Sequence, residues 1–301
     1  MTFRLGLVFM EDITLLHISD LHVDGLDSDR KLPASYWSTM AVTLNRLNPD
    51  LIVVTGDLTT HGGCDIQALY QAREFLASTG RPYLVVPGNH DLSPSSVMRK
   101  DECYEDVKWP KTHFSQVFSQ PSTVTQHIGP VSVIGIALRD GDPDQSLLQL
   151  KTALSQAPGP VLVFGHYPLR PVRTQGVLAE FGWSQYIPNT MPEFRRILKS
   201  SPRVRLYGCG HVHAASVQPI TPALVQISAG GLGPGPSQYW LYKINAQDVT
   251  FYSVAGPGPA TFWNEVDAEH GNVYDYNWGK TKSGLIRLAH EPSLLTLSAH
   301  F

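Results

Sequence analysis

ITLLHISDLH (residues 13–22) joins an apolar, β-branched run to two polar side chains, Asp20 and His22. The run ITLLHIS is typical of a buried strand, and LIVVT (51–55) predicts a second one. The segment between them carries apolar residues at helical spacing, namely Trp37, Met40, Ala41, Leu44 and Leu47. A strand, a helix and a strand in this order predict a β-α-β unit with parallel strands.

The same alternation of strands and helices continues along the chain. A second helical stripe consists of Ile66, Leu69, Tyr70 and Leu76. Further strands are predicted at YLVV (83–86), VSVIGIA (131–137), VLVF (161–164) and VRLY (204–207), with helices near 145–156 and 191–200. After residue 213, the runs VQISAGG, QYWLYKI and DVTFYSV favour antiparallel strands. The pattern indicates one α/β domain over residues 1–255.

Two segments lack such periodicity. Residues 92–130 contain Pro94, Pro110 and Pro121, and we expect them to be an insertion that forms a lid or a rim. Residues 256–301 begin with GPGPA and carry scattered aromatic side chains, which favours an irregular C-terminal arm. The arm is expected to pack either on the body of the protein or on a neighbouring subunit, so a homodimer is an open alternative.

Charge and composition restrict the partners. A net charge of -3 over 301 residues does not indicate a basic surface that would bind nucleic acid or an anionic membrane. No stretch approaches the roughly 18 apolar residues of a spanning helix, and the opening MTFRLGLVFM is too short for a secretory signal. Three cysteines without paired spacing argue against a disulfide framework and fit a reducing compartment. We therefore expect a cytoplasmic protein without a membrane or nucleic-acid partner.

Side chains able to bind cations follow directly after five of the predicted strands. They are, in chain order, Asp20 and His22, then Asp57, then Asn89 with His90 and Asp91, then His166, and finally His211 and His213. Open α/β sheets bind ligands at the carboxyl ends of their strands, so these side chains are expected to meet. A lone Asp-x-His arises by chance in a chain of this length, whereas five ordered groups beside flexible glycines do not.

At this point the motifs DLH, GD, GNHD, GH and GHVH resemble the five blocks of the calcineurin-like metallophosphoesterase superfamily, over residues 14–213. The resemblance implies a four-layer α/β/β/α sandwich of two mixed sheets flanked by helices, with two metal ions at one edge. It assigns Asp20, His22, Asp57 and His213 to the first metal. It assigns Asp57, Asn89, His166 and His211 to the second metal, so Asp57 would bridge the pair.

The residue types fit such a centre chemically. Mixed nitrogen and oxygen ligands suit Fe, Mn, Zn or Co, and a shared carboxylate holds two cations about 3.5 to 4 Å apart. Water bridging such a pair loses a proton near neutral pH, and we expect this hydroxide to attack phosphorus. His90, which is not a ligand in the family pattern, is expected to protonate the leaving oxygen. Asp91 is expected to fix the tautomer of His90.

Several other polar residues near the motifs are interpreted as structural. His17 is expected to be a satisfied interior histidine, since it lies inside a predicted strand. His61 is expected to be exposed in a glycine-rich loop, although it could line the mouth of the site. Tyr167 could contact substrate or serve packing, and Cys209 is interpreted as a buried spectator.

Within the superfamily, GNHD after GDLTTHG departs from the protein Ser/Thr phosphatases, whereas the order of the motifs, the length and GDLT are most similar to class III cyclic nucleotide phosphodiesterases and the related glycerophosphodiesterases. The resemblance predicts hydrolysis of a small phosphodiester, although GHYP (165–168) departs from that group beside the ligand and leaves the substrate open. A phosphomonoesterase and a DNA exonuclease of the same superfamily are the alternatives among enzymes. A non-enzymatic scaffold is the alternative from another class, and the complete set of ligands argues against it.

Overall fold

The computed structural model describes residues 12–25, 31–92, 107–172, 187–233, 237–257, 281–289 and 295–298. Within these ranges the strands form two mixed sheets, and strands and helices are numbered here in chain order. The first sheet contains β1 (Ile13–Ile18), β2 (Leu51–Thr55), β3 (Tyr83–Val86), β10 (Gln238–Ile244), β11 (Asp248–Ala255), β12 (Ser283–Arg287) and β13 (Leu295–Ser298). Their spatial order is β13-β12-β11-β10-β1-β2-β3.

The second sheet has six strands in the order β4-β5-β6-β7-β9-β8. They are β4 (Thr123–Ile128), β5 (Val131–Ile136), β6 (Val161–Phe164), β7 (Val204–Cys209), β8 (Ser216–Thr221) and β9 (Leu224–Ser228). The described helices are α1 (Ala34–Arg46), α2 (Ile66–Ser78), α3 (Asn89–Leu92), α4 (His113–Phe118), α5 (Ser146–Gln156) and α6 (Met191–Ser200). The strands β1, β2 and β3 are parallel to one another, as are β5, β6, β7 and β9.

The two sheets pack face to face, with helices on the outside. Alternate strand residues such as Leu15 and Leu162 point into the space between the sheets, while Leu16 packs towards α1 and α2 and Val163 packs towards α5 and α6. Central strands such as β6 (VLVF) are buried on both faces, so their sequence is continuously apolar rather than alternating. The arrangement confirms the predicted four-layer sandwich.

The C-terminal arm is not irregular throughout, as the sequence had suggested. Residues 283–287 pair antiparallel with β11, and residues 295–298 pair with β12, so the first sheet continues well past residue 255. Ile286 and Leu288 are buried in the core between the sheets, and this burial stabilises the short segment. The aromatic residues predicted to pack as part of the arm, Trp263, Tyr274, Tyr276 and Trp278, lie outside the described residues.

The predicted insertion at 92–130 is also partly regular. Residues 113–118 form α4, which packs beside α2, and residues 123–128 form the edge strand β4, paired antiparallel with β5. Edge strands are half exposed, so their apolar residues do not form the continuous run by which central strands are recognised. Residues 93–106, the remainder of the predicted lid or rim, lie outside the described ranges.

Two observations bear on the surroundings of the chain. Among the described residues, no helix combines the length and the apolar character needed to cross a membrane. Cys64 is disulfide-bonded, so the cysteine-based argument for a reducing compartment does not hold. The cytoplasmic location stays a prediction from the sequence.

Candidate metal centre

The seven predicted metal ligands converge at the edge where the carboxyl ends of the parallel strands in both sheets meet. Asp20 and His22 follow β1, Asp57 follows β2, and Asn89 begins α3 directly after β3. His166 follows β6, and His211 and His213 follow β7. Five residue groups that are distant in sequence therefore share one site because parallel strands present their carboxyl ends on the same side.

The backbone at this edge is held in a sparsely populated conformation. Five of the seven side chains stand on residues with positive φ, namely Asp20 (53°), His22 (44°), Asp57 (48°), His211 (74°) and His213 (49°). Such angles cost non-glycine residues free energy and cluster at functional sites, where the surrounding structure enforces them. Here the backbone N–H of Asp20 donates to the carbonyl of Gly56 at 2.9 Å, and that of His22 donates to the carbonyl of Asp57 at 3.1 Å.

The first group of donor atoms comes from Asp20, His22, Asp57 and His213, whose ligand atoms lie within 4.8 Å of one another. His213 Nε2 is 3.3 Å from Asp20 Oδ1 and 3.3 Å from His22 Nε2. His22 Nε2 is 3.9 Å from Asp57 Oδ2. These four residues are the set that the motifs assign to the first metal.

The second group shares Asp57 with the first. The ligand atoms of Asp57, His166 and His211 lie within 4.8 Å of one another, and His166 Nε2 is 3.2 Å from Asp57 Oδ2. Asn89 completes the set, because its Oδ1 lies 3.0 Å from His166 Nε2. His211 Nδ1 lies 3.2 Å from the same nitrogen. Asp57 is thus common to both groups, which is the position that a bridging carboxylate requires.

The outer nitrogens of two imidazoles are held by the protein, so their inner nitrogens face the site. His166 Nδ1 donates to the carbonyl oxygen of Thr55 at 2.7 Å, because a carbonyl can only accept. His22 Nδ1 is 2.8 Å from Thr60 Oγ1. Hydrogen bonds of this kind fix the tautomer and orientation of metal-binding histidines. The inner Nε2 atoms, together with the nearby carboxylate and amide oxygens, form a nitrogen and oxygen donor set that fits a pair of divalent cations.

The pKa values of the buried side chains also agree with a site for cations. Burial alone would raise the pKa of Asp57, but the nearby imidazoles of His166, His90 and His22 hold it well below its usual range. Burial lowers the pKa of His166, and Asp57 more than reverses this, so that the pKa rises to about 9. A proton on His166 thus balances the carboxylate. A cation between these atoms would take the place of that proton, because ligation requires the unprotonated imidazole.

His90 lies beside the predicted ligands. Its ring centroid is 5.2 Å from that of His22, and its backbone N–H donates to Asp57 Oδ1 at 3.0 Å. The ring Nδ1 donates to the carbonyl oxygen of Thr60 at 3.1 Å. The side chain is half-buried.

The predicted role of Asp91 is wrong, because His90 Nδ1 donates to the Thr60 carbonyl and both oxygens of the Asp91 carboxylate accept from other groups. It accepts hydrogen bonds from the backbone N–H groups of Leu58, Thr59 and Gly88 at 3.1, 3.0 and 2.9 Å, and from Thr59 Oγ1 at 2.7 Å. Burial, followed by the charge of Asp57, raises the pKa of Asp91 to about 6. Asp91 is therefore a structural brace that ties the loop after β2 to the loop after β3.

The sequence interpretation missed the threonines that orient the imidazoles, although Thr60 belongs to the quoted GDLTTHG motif. It also missed why glycine precedes Asn89. A Cβ at Gly88 would overlap the side chain and the backbone nitrogen of Asp57. Close approach of the two loops at Asp57 therefore requires glycine at this position.

Three further residues near the site, His17, Tyr167 and Cys209, are buried in the interior of the protein. His17 is fully buried, and its ring nitrogens bond to Tyr242 Oη at 3.0 Å and Thr55 Oγ1 at 2.9 Å, which confirms a satisfied interior histidine. Tyr167 is buried, with its ring 5.0 Å from that of His166. Cys209 is buried and not disulfide-bonded, and burial raises the pKa of its thiol. The environment of Cys209 agrees with the interpretation as a spectator.

Comparison with known proteins adds a family assignment to this geometry. The sequence profile of the calcineurin-like phosphoesterases matches residues 13–215. A probable cyclic nucleotide phosphodiesterase of Moraxella catarrhalis is 41% identical over 81 residues, 26% of this chain and 27% of that protein. A probable glycerophosphodiester phosphodiesterase of Arcobacter nitrofigilis is 28% identical over 177 residues, 56% of this chain and 58% of that protein. The chain thus spans under two thirds of either relative.

A solved structure shares the fold. A dimetal phosphatase from Danio rerio superposes with a TM-score of 0.58, covering 81% of this chain and 96% of that chain at 13% sequence identity. At this identity the likeness extends to the arrangement of the two sheets and their helices.

Proposed function

Since the chain belongs to the calcineurin-like phosphoesterase family, we propose that it hydrolyses small phosphodiesters at two divalent cations held by the seven convergent side chains. The observation that carries the proposal is the position of Asp57. Its Oδ2 lies 3.2 Å from His166 Nε2 in one group of donors and 3.9 Å from His22 Nε2 in the other. A buried carboxylate shared by two sets of imidazoles has the chemistry needed to offset the repulsion between two cations.

The proposed ligands divide between the two cations as the motifs suggest. Asp20, His22, Asp57 and His213 would hold one cation, and Asp57, Asn89, His166 and His211 would hold the other. The mixture of imidazole and oxygen donors favours Mn, Fe, Zn or Co over Ca or Mg alone. When bound, such cations neutralise charge on the phosphate and lower the pKa of water near them.

The chain itself would position the substrate and supply a proton. Because Nδ1–H of His90 donates to the Thr60 carbonyl, only the doubly protonated ring has a second proton, on Nε2, and this is the proton that His90 would give to the leaving oxygen. The hydrogen bond from the backbone of His90 to Asp57 Oδ1 fixes the distance between the proton donor and the metal ligands. Burial of Asp20 and Asp57 keeps bulk water from the floor of the site and strengthens every charge interaction there.

Two considerations favour a small diester as the substrate. The relatives described above are a cyclic nucleotide phosphodiesterase and a glycerophosphodiester phosphodiesterase, both named as probable. The net charge of -3 disfavours a long polyanionic substrate such as DNA. Phosphomonoesters and DNA ends are the alternative substrates within the same family.

A panel of esters tests the proposal. Purified protein is stripped of metal, reconstituted separately with Mn, Zn, Co and Fe, and assayed with a cyclic nucleotide, a glycerophosphodiester, their monoester products and linear DNA. We expect about two ions per chain and the highest kcat/KM for one of the two diesters. Preference for the monoesters, or salt-sensitive degradation of DNA, would replace the diester assignment. Metal content far below two ions per chain, with no turnover of any ester, would instead favour a non-enzymatic scaffold.

A further inference from the structure

Asp24 and His61 form a pair beside the proposed metal centre that none of the roles above uses. The Asp24 carboxylate accepts three hydrogen bonds, from the backbone N–H groups of Thr60 and His61 at 2.7 and 3.0 Å and from His61 Nδ1 at 3.0 Å. The Asp24 side chain is only 12% exposed, whereas that of His61 is 51% exposed. An exposed histidine ring is thus held in one orientation by a largely buried carboxylate.

The hydrogen bond between Asp24 and His61 Nδ1 also determines whether His61 Nε2 is a hydrogen-bond donor or acceptor. Because a carboxylate accepts hydrogen bonds, the hydrogen of neutral His61 is on Nδ1, and Nε2 carries a lone pair. Among the described residues, Nε2 of His61 has no hydrogen-bond partner. A fixed acceptor at the protein surface is suited to a hydroxyl group of a ligand.

The loop that carries this acceptor also holds His90. The Thr60 carbonyl accepts from His90 Nδ1 at 3.1 Å, and the backbone N–H of Gly63 donates to the His90 carbonyl at 3.0 Å. Within the loop, the His61 carbonyl accepts from the backbone N–H groups of Cys64 and Asp65 at 2.9 and 2.7 Å. The turn that carries His61 is therefore bonded at two points to His90, the proposed proton donor, and His61 directly follows the residue whose carbonyl holds the His90 ring.

We propose that His61, oriented by Asp24, is a specificity-determining residue whose Nε2 accepts a hydrogen bond from a hydroxyl on the alcohol that leaves. The inference rests on the proposed phosphodiesterase function and narrows its substrates to esters of hydroxylated alcohols, a class that includes glycerol and sugars. The hydrogen bond between His61 Nε2 and that hydroxyl should have the strength of one neutral hydrogen bond, which corresponds to roughly a 3- to 10-fold effect on kcat/KM.

Two diesters that differ only in hydroxyl groups test this inference. Manganese-loaded full-length protein is assayed with methyl 2,3-dihydroxypropyl phosphate and with methyl propyl phosphate, and the release of glycerol or propan-1-ol is measured. We expect the wild-type protein to favour the hydroxylated ester by about 3- to 10-fold in kcat/KM. His61→Ala should abolish that preference by slowing only the hydroxylated ester. His61→Phe, which keeps a ring without an acceptor, should do the same, and His61→Gln should retain part of the preference.

The matched control is His127→Ala. His127 is an exposed histidine on β4 that pairs with Ser132, at the end of the second sheet opposite the metal centre, and its removal should leave both esters unchanged. Metal content and Tm of the His61 variants should equal those of the wild-type protein. Equal turnover of the two esters by the wild-type protein, or an equal loss for both esters in His61→Ala and His61→Phe, overturns the inference alone. No turnover of either ester overturns the proposed function and this inference with it.

Discussion

Asp57→Asn is the substitution that tests the shared carboxylate most directly. The side chain keeps its size and one oxygen that can accept from the backbone of His90, but it loses the charge that both donor groups share. Removing only an outer partner of a metal ligand weakens metal binding by about 10- to 100-fold. Loss of a ligand common to both groups should therefore weaken each site by roughly 100-fold or more.

Weaker metal binding lowers the thermal stability of the variant, because metal that binds only the folded protein stabilises it. At a manganese concentration of about 100 times the wild-type Kd, each occupied site stabilises the fold by about 2.7 kcal/mol. A 100-fold weaker site stabilises it by only about 0.4 kcal/mol at the same concentration. The two sites together then differ by roughly 4 to 5 kcal/mol, which at about 2 °C per kcal/mol lowers the Tm of the metal-loaded protein by about 10 °C.

Thermal unfolding with and without manganese, together with metal analysis and turnover of a diester, measures this difference. Asp65→Asn is the matched control, since Asp65 is an exposed N-cap of α2 that accepts from the backbone of Gln67. Asparagine caps helices as well as aspartate does, so this variant should retain the full manganese-induced rise in Tm. A normal rise in Tm and near-normal turnover in Asp57→Asn would refute the bridging assignment.

Three further predictions concern residues around the centre. His90→Ala should lower kcat by about 10²- to 10⁴-fold while metal content stays unchanged, and a loss of metal would show that His90 acts as a ligand. Burial lowers the pKa of His17 to about 3, so the unfolded chain binds one more proton between about pH 6.5 and pH 3 and stability falls as the pH falls. In urea titrations His17→Gln should reduce that slope by up to about 1.4 kcal/mol per pH unit, and an unchanged slope would contradict a neutral buried histidine. Gly88→Ala should displace Asp57 and cost about 1 to 3 kcal/mol of unfolding free energy together with metal content, whereas a fully metal-loaded variant of normal stability would show that the two loops can separate.

The outer parts of the fold were the least predictable from the sequence. The strand at 283–287 is short and lies in a segment whose sequence favours an irregular arm, yet its Ile286 is buried between the sheets. The edge strand at 123–128 has only one paired edge, so its sequence does not distinguish it from an insertion. Edge and terminal strands depend on a neighbour for their stability, and the neighbour is not visible in local periodicity.

The sequence by itself determined the alternation of strands and helices and the residues of the candidate site, while the four-layer sandwich was implied by the family resemblance. Apolar runs such as 51–55 are typical of strands buried on both faces, and polar residues placed directly after parallel strands are expected at the same edge. The partners of individual atoms were decided by the tertiary structure alone. Asp91 was expected to orient His90, but it braces the backbone of the loop after β2, and Thr60 orients the imidazole instead. Hydrogen bonds depend on distances of a few tenths of an ångström between segments far apart in the chain, and spacing along the sequence does not encode such distances.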